Sequence, residues 1–250
     1  MPTLFDHGLV LVFGAAVPIL GVLRARALVR ELGVGRPGAR RRTYAEAIAL
    51  QWIMAGLIAV LWVWQGRAWM TLGLGAPAGA IFWVTAGIVG LAAAAFAVQI
   101  VRVRRSPAAR QQVREQVGRL APILPASSAD LRVFLVLGVT AGICEEIFYR
   151  GFLMWWAIAL GAPVWLAVLI SAGLFGFGHA YQGADSALRI FSLGVVFGVI
   201  ASLTQTIWLP IAAHALIDVA SGITAYLALR GQTPGGEPAI AATTPAEPAR

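Results

Sequence analysis

Residues 131–158 read LRVFLVLGVTAGICEEIFYRGFLMWWAI, an apolar run that nevertheless carries Glu145, Glu146 and Arg150 near its middle. A helix of roughly 20 apolar residues is long enough to cross the hydrocarbon core of a membrane. A charged side chain at the centre of such a helix costs at least about 2.5–3.5 kcal/mol. The run therefore predicts a membrane helix whose charges meet polar partners away from the lipid.

Apolar runs of similar length follow one another along most of the chain. Hydrophobic residues make up 59% of the sequence and charged residues 12%, whereas soluble domains carry about 25% charged residues. A soluble fold could not bury this much apolar surface, so the surplus must face lipid. We predict an all-α fold, a polytopic transmembrane helix bundle with about seven membrane segments near 4–23, 45–64, 81–101, 131–158, 164–181, 188–205 and 208–229.

The positive charge of the chain is concentrated in two linkers between apolar runs. The net charge is +8, and all nineteen basic residues are arginine. Most of them lie at 24–42 and 102–119, a distribution that is typical of cytoplasmic loops and argues against a nucleic-acid partner. We predict a multi-pass protein with an outside N-terminus and a cytoplasmic C-terminus. The exclusive use of arginine indicates a GC-rich genome, and we expect the protein in a bacterial plasma membrane.

Two stretches are predicted to lie outside the bundle. In residues 106–128, Val113, Val117 and Leu120 recur at helical spacing, which predicts a short amphipathic linker helix on the membrane surface; a solvated charged linker is the alternative. Residues 231–250 are rich in Gly, Pro, Ala and Thr, which predicts disorder. The chain is thus divided into N-terminal transmembrane helices at 1–105, the linker at 106–128, a core at 129–230 and a tail at 231–250.

Two later apolar segments also carry ionisable side chains. His179 ends the run Phe-Gly-Phe-Gly-His at 175–179, and His214 and Asp218 lie four residues apart on one helix face. Three segments would not each carry buried polar groups unless these groups met inside the bundle. An ionisable residue inside the membrane is a functional hypothesis by default.

The spacing within 131–158 separates the two glutamates. Glu146 and Arg150 lie four residues apart, so they share a helix face and can pair. Glu145 points about 100° away and is free to face another helix. We therefore expect one cavity that is lined by Glu145, His179, His214 and Asp218.

Such a cavity could hydrolyse a peptide bond, which requires an activated water, a stabilised oxyanion and a protonated leaving amine. A carboxylate among apolar groups suits a general base, and two imidazoles with a carboxylate could instead bind a divalent metal. A proton-coupled transporter is one alternative, because buried Glu and His also form proton relays. A transporter would favour matching broken helices in the two halves of the chain, and here the polar residues lie in one half only. A non-catalytic membrane scaffold is the other alternative.

Three short motifs occur in order on the apolar segments: Glu145-Glu146-x-x-x-Arg150, Phe175-x-x-x-His179 and His214-x-x-x-Asp218. Together they resemble the motifs of the CPBP family, which includes the type II CAAX prenyl proteases and the bacteriocin-processing Abi proteins. The resemblance covers roughly residues 130–228. It implies an intramembrane endopeptidase, usually described as a metalloprotease, that acts on membrane-associated proteins or peptides. The core at 129–230 would then be the protease core. In a bacterium, a leader peptide or small membrane peptide would be a better substrate than a prenylated CAAX protein.

The resemblance also implies a role for each site residue. Glu145 would activate water, with Glu146 and Arg150 supporting the site, and His179 and His214 would be catalytic or metal-binding. Many family members carry Asn at the position of Asp218, whose role stays open between metal contact, histidine orienter and protonated donor. A divalent metal, zinc first, would be held by Glu145, His179, His214 and Asp218, and a metal-free glutamate-dependent reaction is the alternative.

One geometric expectation follows from helix lengths. His214 lies only about 9 Å beyond the start of its segment, whereas His179 lies near the far end of its own. Straight, full-length helices would place the two imidazoles at different depths. We therefore predict that the turn at 204–206 dips into the membrane, where irregular backbone is tolerated beside a watery cavity, rather than that segment five continues past His179.

Overall fold

The computed structural model describes residues 1–34 and 36–230, and within these ranges the chain is helical with no β-strand. Shorter π-helical and 3-10 segments connect or interrupt ten α-helices. These helices are α1 Leu4–Leu11, α2 Val17–Gly33, α3 Ala39–Trp64, α4 Gly79–Arg105, α5 Pro107–Val117, α6 Ser128–Glu146, α7 Met154–Ala159, α8 Val164–Gly178, α9 Ala184–Thr204 and α10 Trp208–Leu229.

The helices confirm the all-α bundle of an integral membrane protein. A π-helical segment, Val12–Ala16, joins α1 and α2, and another, Ile147–Leu153, joins α6 and α7. All seven predicted segments are helical. Within the described ranges, five helical stretches are long and apolar enough to cross a membrane: Leu4–Gly33, Ala39–Trp64, Gly79–Arg105, Ala184–Thr204 and Trp208–Leu229. The other two predicted segments are not among these five. One is the 15-residue helix α8, and the other is the charged stretch through α6 and α7. The count of seven spans therefore stays a prediction.

Helix α6 forms the centre of the bundle, where it packs against α10 on one side and α3 on the other. Small residues allow α6 and α10 to approach closely. A Cβ atom at Gly142 would lie 2.7 Å from the backbone nitrogen of Ala215, and one at Gly138 would lie 3.0 Å from Cβ of Asp218. Close backbone approach through small residues is a common way to pack membrane helices. It brings the ionisable residues of α6 and α10 within reach of one another.

The predicted linker helix is present as α5, which begins after Ser106. The Ser106 hydroxyl accepts a hydrogen bond from the backbone N–H of Ala109 at 3.2 Å, an N-cap that stabilises the first turn. The apolar face of α5, including Val113, packs against the ends of α4 and α10. Arg114 donates from Nε to the carbonyl oxygen of Ala228 at 2.7 Å. The apolar side chains of this amphipathic helix therefore contact protein. The tail predicted at 231–250 lies outside the described residues.

The two arginine-rich linkers lie at the same end of the bundle, as the predicted topology requires. Arg40 donates to the carbonyl oxygen of Pro122 at 2.9 Å, and the Tyr44 hydroxyl donates to that of Ile123 at 2.7 Å. The N-terminus contacts a different connection, the one between α3 and α4. There the guanidinium of Arg67 donates both to Oδ1 and to Oδ2 of the fully buried Asp6, at 2.8 and 2.7 Å.

The turn between α9 and α10 is buried against the connection between α3 and α4. Gln205 adopts a left-handed conformation (φ 56°), and this residue ends α9. The hydroxyl of Thr206 and the backbone N–H of Ile207 both donate to the carbonyl oxygen of Gly73, at 3.0 and 2.9 Å. Helix α8 ends at Gly178, so segment five does not continue as an α-helix past position 179. The depth of the turn in the membrane stays a prediction.

Replacing Gly142 with alanine should destabilise the fold. The added Cβ would meet the backbone of Ala215 in α10, and overpacking of this kind typically costs about 1–3 kcal/mol. The free energy of unfolding in a detergent-denaturant titration measures the effect. The matched control is Gly90→Ala in α4, where nothing lies within 4 Å of the added Cβ and stability should not fall. Equal stability of both variants would contradict the close packing of α6 on α10.

Candidate active site

The buried ion pair of Glu146 and Arg150 is the innermost part of the site. Arg150 donates from Nη1 to Oε1 of Glu146 at 2.7 Å, and neither side chain is exposed. The pair was predicted from the i,i+4 spacing, and the structure confirms it. Arg150 lies in the π-helical segment that continues α6, and such interruptions of α-helices occur frequently at functional sites.

Arg150 also connects the central helix to α8 and α9. Its guanidinium lies over the ring of Phe175, 4.4 Å from the centroid, and its Nη2 donates to the carbonyl oxygen of Gly194 at 3.3 Å. A Cβ at Gly194 would lie 3.2 Å from that Nη2, so a larger residue there would push against the guanidinium. An aromatic face stabilises a desolvated cation by about 2 kcal/mol or more. The buried charge is therefore held from three helices.

His214 bridges the ion pair to the other carboxylates. Its Nδ1 lies 2.8 Å from Oε1 of Glu146. A carboxylate that already pairs with Arg150 only accepts hydrogen bonds, so the Nδ1–H of His214 donates and its Nε2 is left to face the site. That Nε2 lies 3.7 Å from Oδ2 of Asp218 and 3.9 Å from Oε2 of Glu145. The i,i+4 pair of His214 and Asp218 is thus close, as its spacing predicted.

Glu145 lies beside Glu146 in sequence but faces another helix. Its Oε1 accepts a hydrogen bond from Nε2 of Gln51 in α3 at 2.7 Å. Its Oε2 is buried and has no hydrogen-bond partner among the described residues. The sequence reasoning missed Gln51. A signal was present, because Gln51 is the one polar side chain other than tryptophan indoles between Glu46 and Gln65.

His179 is the predicted site residue that stands apart from the carboxylates. It caps the end of α8, where its Nδ1–H donates to the carbonyl oxygen of Phe175 at 2.8 Å. Within the described chain it makes no hydrogen bond to the carboxylates of the site. The imidazole rings of His179 and His214 both pack on the ring of Phe175, with centroid distances of 4.9 and 5.6 Å. Both imidazoles thus have Nδ1 occupied and Nε2 available.

A cavity of about 180 Å³ opens beside Glu145. Gln51 and Tyr149 lie on its wall together with Glu145, and the other lining residues are apolar ones from α2, the π-helical segment before it, α3 and the end of α8. The three other side chains expected in a common cavity with Glu145, namely His179, His214 and Asp218, do not line it. The polar wall and the apolar surroundings suit a bound water next to an apolar ligand. The N-terminal half of the chain therefore forms part of the surface that Glu145 faces.

The described residues do not form a ready metal site. No group of three or more His, Cys, Asp or Glu side chains in residues 1–34 and 36–230 is placed to hold a metal ion. The nearest set is Nε2 of His214 with the oxygens of Glu145 and Asp218, and within the described ranges His179 makes no hydrogen bond to it. Zinc needs ligand atoms at about 2.0–2.2 Å, usually four of them. The metal expected from the resemblance stays a prediction.

Comparison with known proteins confirms the family predicted from the three motifs. Residues 127–220 match the family model described as Type II CAAX prenyl endopeptidase Rce1-like. The matched segment contains every predicted site residue, and it excludes Gln51 and the helices before α6. No curated protein and no solved structure gives a significant match.

Replacing Arg150 with methionine should strongly destabilise the protein, because the buried carboxylate of Glu146 would lose its countercharge. Breaking a buried pair from one side typically costs about 3–5 kcal/mol. Adding Glu146→Gln to this variant should restore part of the loss, since no uncompensated charge remains. The unfolding free energy in a detergent-denaturant titration provides the measurement.

The control is Arg42→Met, which removes the ion pairs of the half-exposed Arg42 with Glu31 at 3.0 Å and with Glu46 at 3.6 Å. Exposed pairs contribute about 0–1 kcal/mol. A comparable loss for Arg150→Met and Arg42→Met would contradict a structural role of the buried pair.

Proposed function

Residues 127–220 belong to the Rce1-like family of type II CAAX prenyl endopeptidases, and we therefore propose that this membrane protein hydrolyses peptide bonds. In this proposal, Glu145 activates the attacking water. The observation that carries the proposal is the placement of Nε2 of His214. Its Nδ1 is fixed by the buried pair of Glu146 and Arg150, and its Nε2 faces Glu145 and Asp218. A general base and a proton carrier thus lie close together, with Nε2 of His214 3.9 Å from Oε2 of Glu145, and the hydrogen bond from Nδ1 of His214 to Glu146 supports them.

In the first step, Glu145 takes a proton from water while the water oxygen bonds to the carbonyl carbon of the scissile peptide. Oε2 of Glu145 is the acceptor, because its Oε1 already accepts from Gln51. The carbonyl oxygen becomes an oxyanion and needs a hydrogen-bond donor at that moment. His179 in its protonated form is the candidate donor, since its Nδ1–H is occupied and its Nε2 is free.

In the second step, the tetrahedral intermediate collapses, the carbonyl re-forms and the C–N bond breaks. The leaving nitrogen takes the proton that Glu145 removed from water, directly or through Nε2 of His214. One water is consumed, and one carboxyl and one amine end are released. Oδ2 of Asp218 lies 3.7 Å from Nε2 of His214. Asp218 therefore acts on His214 and not on the substrate.

The substrates we propose are membrane-associated peptides or proteins, because the site lies among membrane helices and opens to an apolar cavity. The matching family is described as a CAAX prenyl endopeptidase, so prenylated CAAX peptides are one candidate substrate. Unprenylated apolar peptides, such as leader peptides, are the other, in line with the expected bacterial source. A divalent metal, zinc first, remains part of the proposal as an expectation from the family resemblance.

Replacing Glu145 with glutamine should reduce peptide cleavage about 10²–10⁴-fold, because the amide cannot take a proton from water. Purified protein in detergent would be tested against internally quenched peptides, including farnesylated CAAX peptides and unprenylated apolar peptides. The control is Glu115→Gln on the exposed face of α5, the same chemical change away from the site, and it should cleave normally. Normal cleavage by Glu145→Gln would remove the residue from the reaction.

Elemental analysis of protein purified without chelators tests the metal expectation independently of activity. One zinc per chain, lost in both Glu145→Ala and His214→Ala, would support a metal at these residues. Zinc-free protein that still cleaves the peptides would support the metal-free reaction instead.

A further inference from the structure

We propose that Gln51 of α3 is a positioning residue of the active site, which holds one oxygen of Glu145 so that the other is directed at water and His214. The inference rests on the proposed peptidase function, and it adds a residue from outside the segment that matches the family model. Nε2 of Gln51 lies 2.7 Å from Oε1 of Glu145, across 94 positions of sequence.

The hydrogen bond distinguishes the two oxygens of Glu145. An amide N–H only donates, so the contact occupies Oε1 and leaves Oε2, which is buried without a partner in the described chain. Oε2 is also the atom that faces Nε2 of His214, at 3.9 Å. The donor thus fixes both the rotation of the carboxylate and the oxygen that is available as a base.

The two neighbouring glutamates receive different partners. Glu146 is paired with the cation Arg150, whereas Glu145 is bound by the neutral amide of Gln51. A cation neutralises a carboxylate, but an amide orients it and leaves its negative charge intact. A base that must take a proton from water requires this second kind of partner.

The position of Gln51 is set by the packing of α3. Tyr44, Gln51 and Ile58 are seven residues apart and so lie on one helix face, together with Met54 and Ala55. The apolar members of this face are buried. Met54, Ala55 and Ile58 pack in one cluster with Phe148 and Phe152 of the π-helical segment that carries Arg150. Burial of this face therefore orients the side chain of Gln51 toward Glu145.

Packing alone does not account for a glutamine at this position. Its carbonyl Oε1 is buried and has no partner among the described residues. A buried polar atom without a partner costs about 1–3 kcal/mol, so an apolar side chain of the same size would suit a purely structural role better. A polar residue is retained where its donor serves Glu145.

The test compares Gln51→Met with the unchanged protein, using the internally quenched peptide that the unchanged protein cleaves fastest. Methionine keeps the length of the side chain and removes the donor. We expect kcat to fall about tenfold to a hundredfold, as for a misplaced catalytic group, while KM stays within about twofold. The unfolding free energy should change little, because the variant removes the unpartnered Oε1 of Gln51 and leaves Oε1 of Glu145 without its donor. The control Gln65→Met makes the same change at the far end of α3, about 21 Å along the helix, and should leave kcat and KM unaltered.

A second measurement separates positioning from a general structural effect. Glu145→Asp shortens the carboxylate and withdraws it from Gln51. If Gln51 acts through Glu145, Gln51→Met should change kcat less than about twofold on the Glu145→Asp background. The same fold-change on both backgrounds, or an unchanged kcat in the single variant, would overturn the inference.

The outcome for Glu145→Gln distinguishes this inference from the proposed function. If Glu145→Gln cleaves normally, the proposed reaction fails, and the role of Gln51 fails with it. If Glu145→Gln is inactive while Gln51→Met keeps its full kcat, only the positioning role is wrong.

Discussion

The carboxylate of Glu146 accepts hydrogen bonds from Arg150 and from His214 at a point that neither water nor lipid reaches. These two contacts connect α6 to α10, and through Arg150 they extend to the backbone of α9 at Gly194. Removing these groups from water is expensive, and the attraction between the charges compensates only if the geometry is good and the remaining donors are satisfied. The hydrogen bond between Glu146 and Nδ1 of His214 also fixes which nitrogen of His214 faces Glu145 and Asp218. The rest of the site depends on this orientation.

Two adjacent and chemically identical residues differ because the helix turns them toward different neighbours. Glu146 points toward Arg150, which neutralises its charge, and toward His214, which donates a hydrogen bond to it. Glu145 points toward α3 and accepts from the neutral Gln51, and its second oxygen is buried without a hydrogen-bond partner among the described residues. Burial and partner, rather than residue type, make the environments of the two carboxylates different.

The bundle brings these groups together through close helix contacts and through its N-terminal half. Gly138 and Gly142 let α10 approach α6 closely, and a residue with a larger side chain at either position would push His214 away from Glu146. Helix α3 lies outside the segment that matches the protease family, yet it supplies Gln51 and part of the cavity wall. The first helices thus take part in shaping the site as well as in spanning the membrane.

The sequence by itself determined the helical bundle and the two i,i+4 pairs, Glu146 with Arg150 and His214 with Asp218. Apolar runs of membrane length force helices, because backbone groups in lipid must bond internally, and spacing along one helix is a local property. Only the tertiary structure decided that His214 contacts Glu146 and that Gln51 reaches Glu145, whereas no hydrogen bond joins His179 to these carboxylates in the described chain. Such contacts join residues far apart in sequence. They depend on how each helix is rotated and tilted against its neighbours, and that is set by packing across the whole bundle.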